Sequence, residues 1–521
     1  MKKNYKIKLG EKYVERSYSY IPLRYILAVF ITLAEVCAII GVVVLLCYYV
    51  PYFYLAALLT QIGCILKIVA SDDNPDYKVP WLLFVLVLPI VGFMLYFIFY
   101  SRKLKKKFIK RLCDLHGMGY KKDDAGAFER IKKEDTAAAN QARMICNIAN
   151  TNLFEATDVE YFPSGEEMLA RMLVDLKSAE RFIYMEYFII EEGVFWNSIL
   201  DILTQEVKEG VEVKLLYDDI GCMTTLPGNY AKELKKYGIE GVPFSRLKGS
   251  ADSEFNNRNH RKITVIDGKI GYTGGVNIAD EYINRTERFG HWKDTAIRLC
   301  GEAVWELTKT FIIDYGINVK SIPDLPKGAY PDAEKTAVKG YVIPFGDAPQ
   351  PMDKYAVGKE VIMGMLASAT EYAYITTPYL IIDNELCGSI ENAALRGVDV
   401  RITVPHIPDK KIVFAITRSY YPRLMKAGVK IYEYAPGFIH AKNYIVDGRM
   451  AMVGTINLDY RSLAHHFENG VWMYGCPCIE DIRRDIVDTM EKSIPVTEDM
   501  TRTGPLATLI RSLVRVFSPL L

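Results

Sequence analysis

The 521-residue chain is half hydrophobic by composition, 24% charged, and carries a net charge of only +1. So nearly neutral a chain creates no global field to gather a polyanion, which weighs against nucleic acid as a partner. Its length suits about three parts at the usual 100–200 residues per domain.

Residues 1–24 hold seven Lys or Arg, and three apolar stretches follow at 25–50, 52–70 and 80–100. Each approaches the roughly 20 residues needed to cross a bilayer. The basic lead is long, the first apolar stretch exceeds the core of a signal peptide, and no small-residue cleavage site follows, so a membrane anchor is expected over 1–100. Arg102-Lys103-Leu104-Lys105-Lys106-Lys107 comes next. The positive-inside rule puts this cluster and the basic N-terminus in the cytoplasm, which requires an even number of crossings. One of the three stretches is then re-entrant or interfacial, and Glu35 with Gln61, Gly63 and Lys67 points to the first pair. The seven basic residues of 101–111 should also press the remainder of the chain onto anionic headgroups, at about 1 kcal/mol each.

Residues 101–150 read as a basic linker followed by an Ala-rich amphipathic helix, Thr136 to Ile148. In 151–335, Arg181 to Ile190 reads as a buried strand, Asn197 to Lys208 as a helix and Val211 to Tyr217 as a second strand. The order recurs in 336–495 with Glu371 to Ile382, Leu386 to Leu395 and Val398 to Val404. Strand, helix, strand twice over implies an α/β sandwich of two halves with right-handed crossovers. In the tail, 496–521, Leu509, Ile510, Leu513, Val514 and Phe517 make a helical stripe with Arg511 and Arg515 off it. Such a stripe suits either the membrane interface or the chain's own core; two arginines are few for an interfacial anchor, so the tail is expected to cover its own core.

Ten cysteines are scattered, and the close pair Cys476-Pro477-Cys478 lacks the partners of a zinc site. No disulfide framework is suggested, which suits a reducing compartment. There is no HExxH, no acidic cluster at ligand spacing and no Walker loop, so neither metal nor cofactor is expected. His465-His466 reads as a loop pair.

One stretch organises the chain. His260-Arg261-Lys262 leads through Asp267-Gly268 to Gly274-Gly275-Val276-Asn277, and His440-Ala441-Lys442 leads through Asp447-Gly448 to Gly454-Thr455-Ile456-Asn457. Identical spacing twice in one chain marks an internal duplication. Asp-Gly between β-branched runs is a hairpin signal. His and Lys two apart then share a face, and a turn at Asp267-Gly268 places Gly275 beside His260 with Asn277 just past it. Such groups suit a phosphodiester. A neutral imidazole attacks phosphorus, a protonated one gives its proton to the leaving alcohol, and Lys and Asn donate to the non-bridging oxygens. One hairpin supplies a single imidazole, so the reaction needs both copies, facing across a pseudo-twofold. Asp267 and Asp447 have the opposite parity and are expected to be structural.

The paired motifs resemble those of the phospholipase D superfamily, and the chain is similar along its length to bacterial cardiolipin synthases of that superfamily. Further features carrying the resemblance are Asn74 to Trp81, Glu186-Tyr187, Ile278 to Tyr282, His291 to Thr295, Thr377-Pro378-Tyr379, Asp459 to Ser462 and Ser518 to Leu521. The family's usual Ser after the motif Gly is Gly275 in one copy and Thr455 in the other, the Gly form being common in the first motif of these synthases.

The resemblance implies a duplicated phospholipase D-like α/β sandwich behind a helical membrane anchor. It implies His260 as nucleophile and His440 as general acid, with Lys262, Lys442, Asn277, Asn457, Gly275 and Thr455 around the phosphate. Asp294 and Glu468, downstream of the respective motifs, would orient the imidazoles, and Asp267 and Asp447 belong to the motif by resemblance. The implied reaction moves a phosphatidyl group between two phosphatidylglycerols through a phosphohistidine, at the cytoplasmic face of a bacterial cell membrane crossed more than once. Hydrolysis, or transfer to another alcohol, uses the same groups. A membrane-anchored nucleic-acid phosphodiesterase would too, but near-neutral charge and the apolar anchor disfavour it. A scaffold with a relic site would be expected to have lost a His or Lys of the motifs, and all four are present.

Overall fold

Strands apolar on both faces need a cover on each side, and the chain supplies it by stacking two sheets. The computed structural model describes residues 2–9, 12–19, 23–50, 52–99, 125–155, 157–246, 257–319, 326, 329, 338–349, 355–502 and 504–520. The first sheet contains Thr157–Phe162 (β1), Phe182–Tyr187 (β2), Glu212–Asp218 (β3), Glu240–Phe244 (β4), Lys262–Ile266 (β5), Ile270–Gly274 (β6) and Ala296–Gly301 (β7). Its spatial order is β1-β7-β6-β5-β2-β3-β4, with β2, β3 and β4 mutually parallel and the others antiparallel to their neighbours.

The second sheet contains Tyr341–Asp347 (β8), Tyr372–Thr376 (β9), Asp399–Pro405 (β10), Lys430–Tyr434 (β11), Asn443–Val446 (β12), Met450–Gly454 (β13), Glu468–Tyr474 (β14) and Ser493–Pro495 (β15). Its order, β8-β14-β13-β12-β9-β10-β11-β15, repeats the first with one added edge strand. The expected duplication is therefore a duplication of topology.

Period-two alternation then builds the core. Ile183, Met185 and Tyr187 of β2 pack outward with the helices of the first half, while Phe182 and Tyr184 join an apolar layer shared by both sheets. Ile263 and Val265 of β5 enter that layer with Ile445 of β12, Val453 of β13 and Val471 of β14. Each such buried side chain contributes about 1.5–3 kcal/mol, so the halves are held together by a core and not by a linker.

Leu23–Tyr49 (α1) and Phe53–Ala70 (α2) are long and apolar enough to cross a bilayer. Their apolar windows are only 6% and 22% buried, unlike the core helices of a soluble domain, and they mark a membrane protein. The interruption expected in this first pair falls instead in the third stretch, which divides into Pro75–Val87 (α3) and Pro89–Phe99 (α4). At 1.5 Å per residue neither reaches the roughly 30 Å of a hydrocarbon core. The cause is Pro89, which has no N–H to give the carbonyl of Val85 four residues back. The buried Gln61 of α2 gives that carbonyl its Nε2–H at 2.8 Å, so the polar residue read as a break is the repair of one.

The anchor is docked on the second half. Asn74 caps α3 by accepting from Asp76 N–H at 2.9 Å, and its Nδ2 donates to Asp383 at 2.8 Å. Asp76 accepts from Asn384 N–H at 2.8 Å and Tyr460 OH at 3.2 Å. Thr136–Ala149 (α5), capped by Asp135, buries Ala138, Ala142 and Ile145 in the outer core of the second half, so it is part of that half's packing. Basic residues 101–111 lie outside the described residues. Lys411–Lys426 (α6) and Pro505–Val516 (α7) flank the second half. The tail expected to cover its core does so with one face: Val514 packs inward, while Leu509 and Leu513 are 57% and 55% exposed.

Candidate active site

Each motif is a hairpin closed by a turn that needs two positive φ angles in succession. Asp267 and Gly268 supply 54° and 67°, and Asp447 and Gly448 supply 51° and 62°. The two aspartates lie at the turns, not among the imidazoles. Asp267 accepts the N–H groups of Glu180, Arg181 and Phe182 at 2.8–2.9 Å, and Asp447 those of Thr370, Glu371 and Tyr372 at 2.8–2.9 Å. They pin each hairpin to the start of the neighbouring strand, β2 or β9. The register differs by one residue from the expected one, because three residues separate paired Ile266 and Ile270. Gly275 accordingly lies beside Asp294 and not beside His260.

The imidazoles are delivered on backbone that crosses between halves. His260 N–H donates to Phe467 O at 2.9 Å and His440 N–H to Lys293 O at 2.7 Å. Each borrowed carbonyl immediately precedes a carboxylate. His260 Nδ1 therefore meets Glu468 at 2.9 and 3.0 Å, and His440 Nδ1 meets Asp294 at 2.6 Å. The expected orienting pair is present, but crosswise: each carboxylate serves the imidazole of the other half. With Nδ1–H given to a carboxylate, Nε2 of each ring keeps the lone pair that attacks or the position that carries a proton.

Lys262 and Lys442 are buried, and each ammonium reaches back to the carbonyl of the His two residues before it; Lys442 Nζ also lies 2.8 Å from His440 Nδ1. Burial drives His260 down to about 3 against the pull of Glu468. Burial and Lys442 drive His440 to about 4 against Asp294. Burial likewise lowers Lys262 well below its ordinary range and Lys442 to about 8. Glu468 is held low because its interactions with His260 and His466 outweigh the cost of its burial, and Asp294 because those with Lys442 and His440 do. Lys262 feels both Lys442 and Asp294, so the motifs share one electrostatic site. Neutral imidazoles over ionised carboxylates are ready for nucleophilic and acid–base work, and an anionic phosphodiester would restore charge to the lysines.

The other expected site residues divide. Asn457 is buried with its Oδ1 unpartnered, an amide the scaffold does not consume. Asn277 is consumed: Oδ1 accepts from Ile189 N–H at 3.0 Å and Nδ2 donates to Tyr282 OH at 2.7 Å. Thr455 gives its hydroxyl to Glu468 and accepts Asn469 N–H at 3.0 Å. At Gly275 a Cβ would fall 1.9 Å from Asp294 Oδ1. Both positions thus face the carboxylates, and of the four residues expected at phosphate only Asn457 is left free.

Two neighbours were not singled out by motif. The strand registers set Ala296 against Gly274 and Gly470 against Gly454, so Trp292 and His466 are equivalent positions. Trp292 lies 5.5 Å from the ring of His440, and His466 lies 5.5 Å from the ring of His260. His466 is no plain loop residue: neither ring nitrogen makes a hydrogen bond, and Nδ1 stands 3.5 Å from Glu468. Counting back from the two carboxylates would have found the pair. His260, His466 and Glu468 also bring ligand atoms within 4.8 Å of one another. A metal there would take the atoms that form the His260 dyad, so the group fits acid–base work better.

Known proteins repeat this architecture. A family profile described as "Cardiolipin synthase, PLD-like domain" matches residues 172–294 and 362–489, once in each half, and "Phospholipase_D-nuclease N-terminal" matches 59–99. An uncharacterized protein of Streptococcus mutans is 41% identical over 465 residues, 88% of this chain and 100% of that one. A cardiolipin synthase of Alkalihalophilus pseudofirmus is 34% identical over 87% of this chain and 90% of its own length. Cardiolipin synthase 2 of Bacillus cereus is 34% identical over 88% and 89%. The solved phosphatidylserine synthase of Haemophilus influenzae shares the fold, with a TM-score of 0.56 at 16% identity over 73% of this chain and 100% of that one. Matched in both halves by the family profile, and a third identical to cardiolipin synthases over most of its length, the chain belongs to the cardiolipin synthase family of phospholipase D-like phosphatidyltransferases.

Proposed function

We propose that the protein transfers a phosphatidyl group from one phosphatidylglycerol to a hydroxyl of a second, giving cardiolipin and glycerol. His440 Nε2 takes up a proton as the anionic phosphodiester binds beside it; His260 Nε2 attacks phosphorus, the new P–N bond replaces the P–O bond to glycerol, and His440 gives the leaving oxygen that proton. His440 then takes a proton from the hydroxyl of the second lipid, whose oxygen displaces His260 and returns the enzyme to its starting state. One phosphodiester is broken and one made, so no nucleotide is consumed. The observation carrying this is the crosswise pairing of each imidazole with a carboxylate of the other half, which leaves two Nε2 atoms for one phosphate. Burial holds both imidazoles below their ordinary range, and the order, with His260 as nucleophile and His440 as acid, is the one the resemblance implies. Lys262, Lys442 and Asn457 would hold the non-bridging oxygens.

Purified protein given phosphatidylglycerol should yield cardiolipin and glycerol in equal amounts. Phosphatidic acid as sole product would make the enzyme a hydrolase. Trapping with labelled lipid should leave acid-labile phosphate on His260, and label on His440 alone would reverse the two roles. With α1 and α2 as the two spans, the positive-inside rule would put the catalytic halves on the same side as the basic N-terminus, in the cytoplasm. A reporter fused after Leu521 should be active only if cytoplasmic, and robust activity of an exported reporter there would overturn that side.

A further inference from the structure

The tail helix α7 has two unlike faces. Its inner face packs on the second half through Val514, and Arg515 lies over the ring of Tyr420 on α6 at 4.1 Å. Its outer stripe is Leu509, Leu513 and Phe517, spaced by four and so aligned along one side. Leu509 and Leu513 are more than half exposed, although a folded chain could have buried them as it did Val514.

The last member of that stripe packs on the anchor. The Phe517 ring sits 5.5 Å from the ring of Phe84 on α3, in the apolar anchor. Around Phe84, α3 exposes Leu83, Leu86 and Val87, the last at 73%. The outer stripe of α7 and the exposed side of α3 therefore meet at Phe84–Phe517, and α3 packs in turn with α2, a helix able to cross the membrane. Arg511 stands off the stripe, where a polar headgroup can meet it.

We propose that α7 lies in the plane of the membrane interface, with Leu509 and Leu513 among the acyl chains of the bilayer that α1 and α2 cross. The catalytic second half would then be fixed to the bilayer at two places, through Asn74 and Asp76 at the head of α3 and through α7. Two leucines and a phenylalanine give a modest hold for an isolated helix. Covalent continuity with an anchored domain makes it effective, because the helix is already at the surface.

Photo-crosslinking in the full-length protein in native membranes tests this without reference to the reaction. p-Benzoylphenylalanine would replace Leu509 or Leu513, with Val42 of α1 as the membrane reference and the exposed Arg484 as the polar reference. Lipid adducts at Leu509 and Leu513 are expected within about threefold of those at Val42 and at least tenfold above those at Arg484. Yields at the Arg484 level, or adducts to a second copy of the chain instead of lipid, overturn the proposal. In a second arm, the double variant L509E/L513E keeps the inner face intact. It should hold its thermal midpoint in detergent yet lose about tenfold in transfer on phosphatidylglycerol bilayers relative to detergent micelles. Equal rates on both substrates also overturn the proposal. Absence of transfer by the unaltered protein would count against the proposed reaction and not against the position of α7.

Discussion

His260 and His440 stand in sites built on one plan from different parts. His260 is held by Glu468, which also receives the hydroxyls of Thr455 and Ser462, and its ring is flanked by Phe188 and His466. His440 is held by the shorter Asp294 against Gly275, and its ring is enclosed by Tyr282, Trp292 and Phe438. One imidazole has a polar, hydroxyl-supported surround, and the other an aromatic one. The difference shows how duplicated halves diverge: the strands keep their order, while side chains around the equivalent rings change. Either half alone would retain an imidazole without its carboxylate.

The largest effects should come from removing an imidazole. H260Q and H440Q should each lower kcat by about 10³-fold or more. They should differ in rapid-quench experiments with labelled lipid, where H440Q accumulates phosphoenzyme slowly and H260Q forms none. Equal labelling of the two variants would break the assignment of unlike roles.

Next come the carboxylates. E468Q and D294N leave geometry in place but no longer stabilise an imidazolium, and each should cost about 10²–10⁴ in kcat. Crosswise pairing has its own signature in double-mutant cycles of thermal stability. His260 should couple with Glu468 by about 1–3 kcal/mol and with Asp294 by almost nothing. Coupling within each half would contradict the geometry.

The packing of the carboxylates separates the halves further. G275A places a methyl on Asp294 and should displace it from His440, lowering kcat about 10²-fold with little change in KM. T455A removes one hydroxyl among several partners of Glu468 and should cost less than tenfold. If G275A proves the milder of the two, the first-half site has more slack than its close approach allows.

Acid should act on both halves together. Burial holds His260 at about 3 and His440 at about 4, below the ordinary 6.5. Between those values the unfolded chain binds protons that the native site refuses, so stability falls as pH falls from 6.5. Asp294 and Glu468, held low in the folded state, extend the loss at still lower pH. From pH 6.5 to 5 each imidazole should account for about 2 kcal/mol, visible as a falling thermal midpoint in detergent. H440Q should make that slope shallower, and an unchanged slope would contradict it.

The smallest effect on chemistry belongs to the turn aspartates. D267A and D447A each leave backbone N–H groups without an acceptor and should cost about 1–3 kcal/mol in stability. Turnover per folded molecule should stay within a few-fold of the parent, measured after correction for the active fraction. A loss as deep as that of H260Q would return the aspartates to the catalytic set.

Much of this was legible in the residues. The duplicated spacing gave the hairpins, both His-x-Lys faces and the need for two copies, because strand periodicity and an Asp-Gly turn are local properties that sequence specifies directly. The repeated strand, helix, strand order gave the sandwich, and the apolar runs gave α1 and α2 as helices able to cross a membrane. Tertiary structure alone decided which carboxylate serves which imidazole, since Glu468 stands 208 residues from His260 and Asp294 stands 146 from His440. No local rule measures such distances. It also decided that Asn277 is spent on Ile189 and Tyr282 while Asn457 is free, that His466 stands where its counterpart is Trp292, and that Gln61 mends the carbonyl left open by Pro89. Each depends on a donor or acceptor brought from a distant part of the chain. A sequence shows that a polar group must find a partner, but packing chooses the partner.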